Sequence, residues 1–263
     1  MNRLEKKHLF LILLLCVTLT GCSLFGSPDI IVPSDPSEDD GSTGGQSPAY
    51  GSLAGTVYDV GLPEAKLQSG KVEIGGQVVS IKDGAYVVNS IPNGTYTMRV
   101  TKQWYKPKEI TVTINGSTIQ DVAMVPDLTL EELETFAGLV SAESKGEPYI
   151  GQVAVAATVL NRVLDPNYPN TITQVIKQVI WVNGIAYYQY EPVKNGTYLL
   201  PAEKSAKNAV RHALAGWDPT KGATGFFAHD KVPQWSNGKV PWVWQQWNKD
   251  PYKIRIGNHS FFR

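Results

Sequence analysis

The stretch VSAESKGEPYIGQVAVAATVLNRV, Val140–Val163, contains one residue that looks misplaced. Glu143 lies seven residues after Phe136 and three after Val140, so a helix here puts a carboxylate in line with an apolar stripe. Burying a charge is costly unless it is paired, hydrogen-bonded or able to take up a proton. Upstream, Thr129 with Glu132 three residues later forms a capping box, and Leu133, Phe136, Ala137 and Val140 follow at helical spacing. Gly146-Glu147-Pro148 then breaks the helix. The next run, YIGQVAVAATVLNRV, is apolar almost all round and rich in alanine, which predicts a helix buried at the centre of its domain.

Further along, TITQVIKQVI (171–180) and PAEKSAKNAVRHALAG (201–216) read as two more helices, the second stopping at Gly216. The tail is aromatic-heavy and closes on YKIRIGNHSFFR, which suits a short strand or hairpin. Residues 51–126 have another character. Short β-rich runs alternate with turn signals at Asp83-Gly84, Asn93-Gly94 and Asn115-Gly116, the pattern of a small antiparallel β-sandwich. No cluster of His, Cys or carboxylates there has metal or nucleophile spacing, which leaves a spacer or a binding module as its role. The expected architecture is therefore multidomain, a small antiparallel β-sandwich (51–126) followed by a mainly α domain (128–263).

The N-terminus reads as targeting. MNRLEKKHLFLILLLCVTLTGC has a basic start and an apolar run too short to span a bilayer comfortably. It ends in Leu19-Thr20-Gly21-Cys22, which resembles the lipobox of bacterial lipoproteins. That resemblance implies a signal peptide at 1–21, lipidation of Cys22, and a place on the outer face of the cytoplasmic membrane. Only Cys16 and Cys22 are present, so the exported chain has no disulfide. From Cys22 to residue 50 follows a linker, dominated from Ser27 by Pro, Ser, Gly and Asp; its 24 or so residues from Ser27 span roughly 25–30 Å on average. Lys plus Arg equals Asp plus Glu at 24 each in 263 residues, so no strong field steers the chain to nucleic acid.

A glutamate near a helix end, beside a glycine-containing break, can be partly buried yet open to a cleft. Desolvation there raises its pKa, and a protonated carboxyl beside a sugar is the acid that a glycosidic oxygen needs. A solvated or capping glutamate is the competing reading of the same pattern. The motifs A-E-x-x-G-E-P and G-Q-V-A-V-A-A-x-x-L-N-R-V, followed by YPNTITQVI, YYQYEPVKNGTY, AVRHALAGWDPT and IGNHSFF, resemble the spore cortex-lytic enzyme type of cell wall hydrolase. The resemblance runs from about Leu133 to the C-terminus. The run IPNGTYTMRVTKQWYKPKEITVTI resembles, less specifically, the carboxypeptidase-regulatory-like β-domains of exported proteins.

The first resemblance implies a lysozyme-like, mainly helical fold that cleaves peptidoglycan glycan strands at the MurNAc–GlcNAc bond, with Glu143 as the catalytic carboxyl. It implies a lytic transglycosylase, whose single carboxyl protonates the leaving oxygen and then takes the proton of the MurNAc C6 hydroxyl. A hydrolytic muramidase, or a non-catalytic wall-binding lipoprotein, are the alternatives. Glu191 is either a second carboxylate or, with Gln189 and Tyr190, a ligand of sugar hydroxyls. Glu147 is expected to hold its turn through backbone N–H groups. No cofactor or metal is expected, since His229-Asp230 lacks metal-ligand spacing. His212 sits on an ordinary helix face, and His259 is expected to make a structural hydrogen bond. Of Trp235, Trp242, Trp244 and Trp247, at least two should be core. The segment GFFAHDKV after WDPT departs from the family pattern, which puts substrate preference in question. Vegetative wall and spore cortex both remain open as substrates.

Overall fold

The computed structural model describes residues 49–263. The expected signal peptide, Cys22 and nearly all of the linker lie outside the described residues. Nine strands come first: β1 Tyr50–Asp59, β2 Leu62–Lys66, β3 Ser69–Ile74, β4 Gln77–Lys82, β5 Ala85–Pro92, β6 Gly94–Thr101, β7 Lys108–Ile114, β8 Ser117–Ile119 and β9 Val122–Met124. They are linked in the order β2-β1-β5-β4-β3-β6-β7, with β8 and β9 also paired to β1. Strands follow the expected runs because one side of each is apolar: Val72 and Ile74, Met98 and Val100, Val112 and Ile114 are buried while their neighbours face water.

Alternation breaks in β5, where Tyr86, Val88 and Ile91 are buried. Ser90 there has φ 53°, and the register against β1 shifts between Gly51 and Leu53: a bulge absorbs the extra residue. Most of the pairings are antiparallel, as expected. β8 and β9 are the exceptions: they run parallel to Ser52–Ala54 and Val57–Asp59 of β1, because the chain after β7 pairs with β1 instead of folding back on β7 as a hairpin would.

The helical part follows: α1 Leu130–Glu143, α2 Tyr149–Leu164, α3 Ile172–Ile176, the hairpin β10 Val179–Val182 with β11 Ile185–Tyr188, α4 Glu191–Asn195, a 3₁₀ turn at Thr197–Leu199, α5 Lys204–Ala215, β12 Gly225–Ala228, α6 Trp242–Lys249, β13 Ile254–Ile256 and β14 His259–Phe262. The capping box forms as spaced. Thr129 accepts from the Glu132 amide at 3.1 Å, and the Glu132 carboxylate accepts from the Thr129 amide at 2.9 Å. α2 is buried on all sides, from Val153 to Leu160 without interruption, and touches α1, α3, α5, β12 and β13. α5 stops at Gly216, whose φ of 110° closes the left-handed cap.

Two expectations in this half are corrected. Residues 171–180 are not one helix: α3 ends at Ile176 and the chain turns into β10. Asn183 and Gly184, at φ 50° and 78°, make the tight turn that returns it as β11. The tail is also more regular than its sequence suggests. β12 pairs with β14, which pairs with β13, and α6 packs a second small core of Phe227, Trp244 and Phe262. Trp244 and Trp247 belong to that core, while Trp235 and Trp242 are exposed.

The described residues, 49–263, form one compact unit. Its β-rich and helical parts are fastened across α5. Asp59, wholly buried at the end of β1, accepts from Arg211 of α5, from the Tyr105 hydroxyl at 3.0 Å and from the Gly61 and Leu62 amides. The Gln68 amide donates to the Ala215 carbonyl at 2.8 Å. His212 is no ordinary surface residue: its Nδ1 lies 2.6 Å from the Tyr149 hydroxyl and its ring meets Trp217 edge-on.

Candidate active site

Glu143 is the last residue of α1. The helix ends there because Ser144 turns its hydroxyl back to the Val140 carbonyl and Gly146 follows at φ 82°. Its stripe-mates Phe136 and Val140 are fully buried, and Glu143 itself, one turn further, is only partly exposed. Burial raises its carboxyl from the ordinary 4.5 to about 7; the Arg162 guanidinium pulls it down, and the Glu191 carboxylate pushes it up. Near neutral pH the group is therefore a mixture of acid and carboxylate, the condition for giving and taking a proton.

Arg162 is the residue that a reading of the sequence missed. It sits on α2 with its Nε donating to the Thr224 carbonyl at 2.6 Å, and its guanidinium lies 5.0 Å from the Tyr190 ring centroid and 5.1 Å from that of Tyr168. Its signal was there: a lone arginine in an otherwise apolar helix has to find a partner for its charge. Among the described residues it makes no ion pair with Glu143, so it supports the carboxylate without fixing it as one.

Tyr190 is 2% exposed, and burial pushes its hydroxyl up to about 12, so it stays protonated. Glu191 begins α4 with its side chain largely in solvent and 3.8 Å from Lys194. Gln189 pairs its amide with the Gln178 carbonyl at 3.2 Å, at the base of the β10–β11 hairpin. Glu143 and Tyr190 thus lie near Arg162, with Glu191 close enough to act on Glu143 and Gln189 one residue before Tyr190. Within this group Arg162 Nη1 is buried with no hydrogen-bond partner, and the buried Tyr190 hydroxyl has only Arg162 near enough to act on it. Buried polar groups without partners are rare, and each asks for a water, an ion or a bound group to supply the missing bond.

Glu147 is apart from this group and ties two turns together. Its carboxylate accepts from the Asn258 amide at 2.8 Å and from the Asn258 side chain at 3.0 Å, reaching the β13–β14 turn rather than its own. Gly257 there has φ 60°, and a side chain would run into the Glu147 carboxylate. His259 differs from expectation: its Nδ1 is buried without a partner, and its ring packs edge-on against Phe226 and Phe261 instead. His229 meets the Ser260 hydroxyl, and Asp230 pairs with Arg255. Among the described residues, no three His, Cys, Asp or Glu side chains gather as for a metal ion, and no helix is long and apolar enough to cross a membrane. A cavity of about 310 Å³ lies beside Gly138, Ser141, Ala142 and Lys145, on the side of α1 turned away from Glu143.

A helical region that holds a carboxyl raised by burial near an arginine is a candidate acid/base site. Residues 146–262 match the Cell Wall Hydrolase family, and the C-terminal part of this chain is a domain of that family. The match begins at Gly146, so Glu143 stands just before it. The chain is 38% identical over 130 residues to a spore cortex-lytic enzyme of Bacillus cereus, covering 49% of this chain and 43% of that protein. It is 33% identical over 130 residues to the Bacillus subtilis spore cortex-lytic enzyme, covering 49% of this chain and 37% of that one. The chain thus spans less than half the length of these curated relatives. Among solved structures, the catalytic domain of the germination-specific lytic transglycosylase SleB from Bacillus anthracis is 34% identical, with a TM-score of 0.42 over 52% of this chain and 98% of that one.

Proposed function

We propose that the chain cleaves peptidoglycan glycan strands at the MurNAc–GlcNAc bond as a lytic transglycosylase, with Glu143 as its acid and base. The observation that carries this is the carboxyl of Glu143, raised to about 7 by burial beside Arg162 in a cell wall hydrolase domain. Protonated Glu143 gives its proton to the glycosidic oxygen as the bond from the MurNAc C1 breaks. The carboxylate left behind faces an oxocarbenium-like centre and is steadied by Arg162. The C6 hydroxyl of the same MurNAc then attacks C1 and yields its proton to Glu143, which closes a 1,6-anhydro ring and restores the acid. Because the nucleophile is held within the substrate, no second carboxylate is required.

A hydrolytic muramidase is the second reading, favoured by one observation: the Glu191 carboxylate is close enough to Glu143 to raise its pKa. In that case Glu191 activates water. Mass spectrometry of fragments released from purified peptidoglycan and from spore cortex separates the two. Anhydro ends lost in Glu143→Gln support the transglycosylase. Reducing ends lost in Glu191→Gln move the assignment to hydrolysis, and bound but uncut glycan makes the chain a wall-binding protein.

We further infer that the helical part has a lysozyme-like fold and that the β-rich part is a carboxypeptidase-regulatory-like sandwich. One-sided burial along its strands supports the latter. The chain is read as exported and anchored by lipid at Cys22, facing the wall from the outer side of the cytoplasmic membrane. Its relatives' names support spore cortex as a substrate.

A further inference from the structure

The β10–β11 hairpin carries apolar side chains that no core explains. Ile180 is 46% exposed, Trp181 69%, Tyr187 51% and Tyr188 41%. A two-stranded hairpin wet on both faces gains little from burial, so these residues cost stability where they stand. Its register sorts them. Val179 faces Tyr188 and Trp181 faces Ala186 on one side; Ile180 faces Tyr187 and Val182 faces Ile185 on the other.

The pairing continues past the hairpin's last residue, since the Gln189 amide reaches the Gln178 carbonyl, and Tyr190 is still extended at φ −133° and ψ 123°. Alternation therefore places Tyr190 on the same face as Tyr188 and Trp181. Tyr190 is the ring that lies against Arg162 beside Glu143. One face of the hairpin is thus an aromatic row leading to the carboxyl, while the opposite face is aliphatic except for Tyr187. Trp181 and Tyr188 are diagonal neighbours, and the small Ala186 across from Trp181 leaves its ring uncovered.

We propose that the Trp181–Tyr188 face of this hairpin is a stacking platform for sugar rings, holding the glycan strand beyond the residues at the cut. The inference rests on reading Glu143 as the centre of glycan cleavage. Indole and phenol rings offer a flat apolar face to the C–H side of a pyranose and a polar edge to its hydroxyls. From Gln178 to Gln189 the hairpin has no charged residue, whereas attachment to an anionic membrane surface draws on Lys and Arg. A neutral, hydroxyl-rich polymer is the occupant that fits.

The test uses the full chain carrying Glu143→Gln, so that binding is read without turnover. Adding Trp181→Ala with Tyr188→Ala should weaken binding to purified peptidoglycan about tenfold or more. Ile180→Ala with Tyr187→Ala, on the other face, should leave it within about twofold. In the active chain the first pair should raise KM for long strands by a similar factor and leave kcat on the shortest cleaved oligosaccharide unchanged. Equal loss from both faces, no loss from either, or an effect confined to binding of phosphatidylglycerol vesicles overturns the platform. Face-dependent binding by a chain that releases no glycan product keeps the platform and removes the cleavage reading. Cleavage that depends on Glu143 but not on the hairpin does the reverse.

Discussion

At the scale of single residues, the balance at Glu143 is between burial, which favours the neutral acid, and Arg162, which favours the carboxylate. Burial wins. The sign of the consequences follows. The rate on glycan depends on the protonated fraction, so kcat/KM should fall about tenfold per pH unit above about 7. A raised carboxyl also opposes folding once it ionises. The cost is absent below 4.5, grows as pH rises towards 7, and is complete above it. The full shift corresponds to about 3 kcal/mol; partial exposure of the group screens some of this. Glu143→Gln should therefore be about 1–2 kcal/mol more stable than the parent at pH 8 and no different at pH 4, in paired urea melts. Equal stability at both values would mean that the carboxyl is solvated and the acid assignment is wrong.

At the scale of elements, what could be read beforehand was what local rules decide. α1 and α2 are legible because a capping box, a glycine-proline break and an apolar pattern all act within a few residues. In 171–180, Ile172, Val175, Ile176, Val179 and Ile180 fall at helical spacing, yet the helix stops at Ile176. Val179–Val182 are all β-branched or aromatic, and the Asn183-Gly184 turn gives them a partner strand, so pairing prevails over periodicity. β12 was illegible because its partner, β14, lies more than thirty residues away. The same division runs through the site: Glu143 announces itself beside a helix break, whereas Arg162, Tyr168 and Tyr190 meet only once the helices pack.

Packing also sets what α1 tolerates. A Cβ at Gly138 would sit 2.1 Å from the Tyr198 carbonyl oxygen, so the segment over α1 can lie where it does only because 138 is glycine. Alanine would gain about 1 kcal/mol in helix propensity. Forcing the backbone apart should cost more, and we expect Gly138→Ala to be destabilised by about 1–2 kcal/mol in chemical denaturation. A stabilised variant would show that the segment moves freely.

At the scale of the whole molecule, the question is whether the β-rich part hangs beside the helices or is built into them. Asp59 decides it: fully buried in β1, it meets Arg211 of α5, which is itself 25% exposed in its side chain. A buried pair of this kind contributes little net stability against an apolar replacement, but removing one partner strands the other charge at about 3–5 kcal/mol. Arg211→Leu leaves Asp59 with Tyr105 and two amides, and so should be costly. Asp59→Asn in that background should recover much of the loss. The double-mutant cycle is expected to give a coupling on the order of 2 kcal/mol. Trp104, in the β-rich part, and the six tryptophans of the helical part should then report one shared unfolding transition in the parent. Additive substitutions with two separate transitions would mean that the β-rich part is a free spacer. A coupled transition would mean that the β-rich part and the helices that carry Glu143 and Arg162 fold as one body.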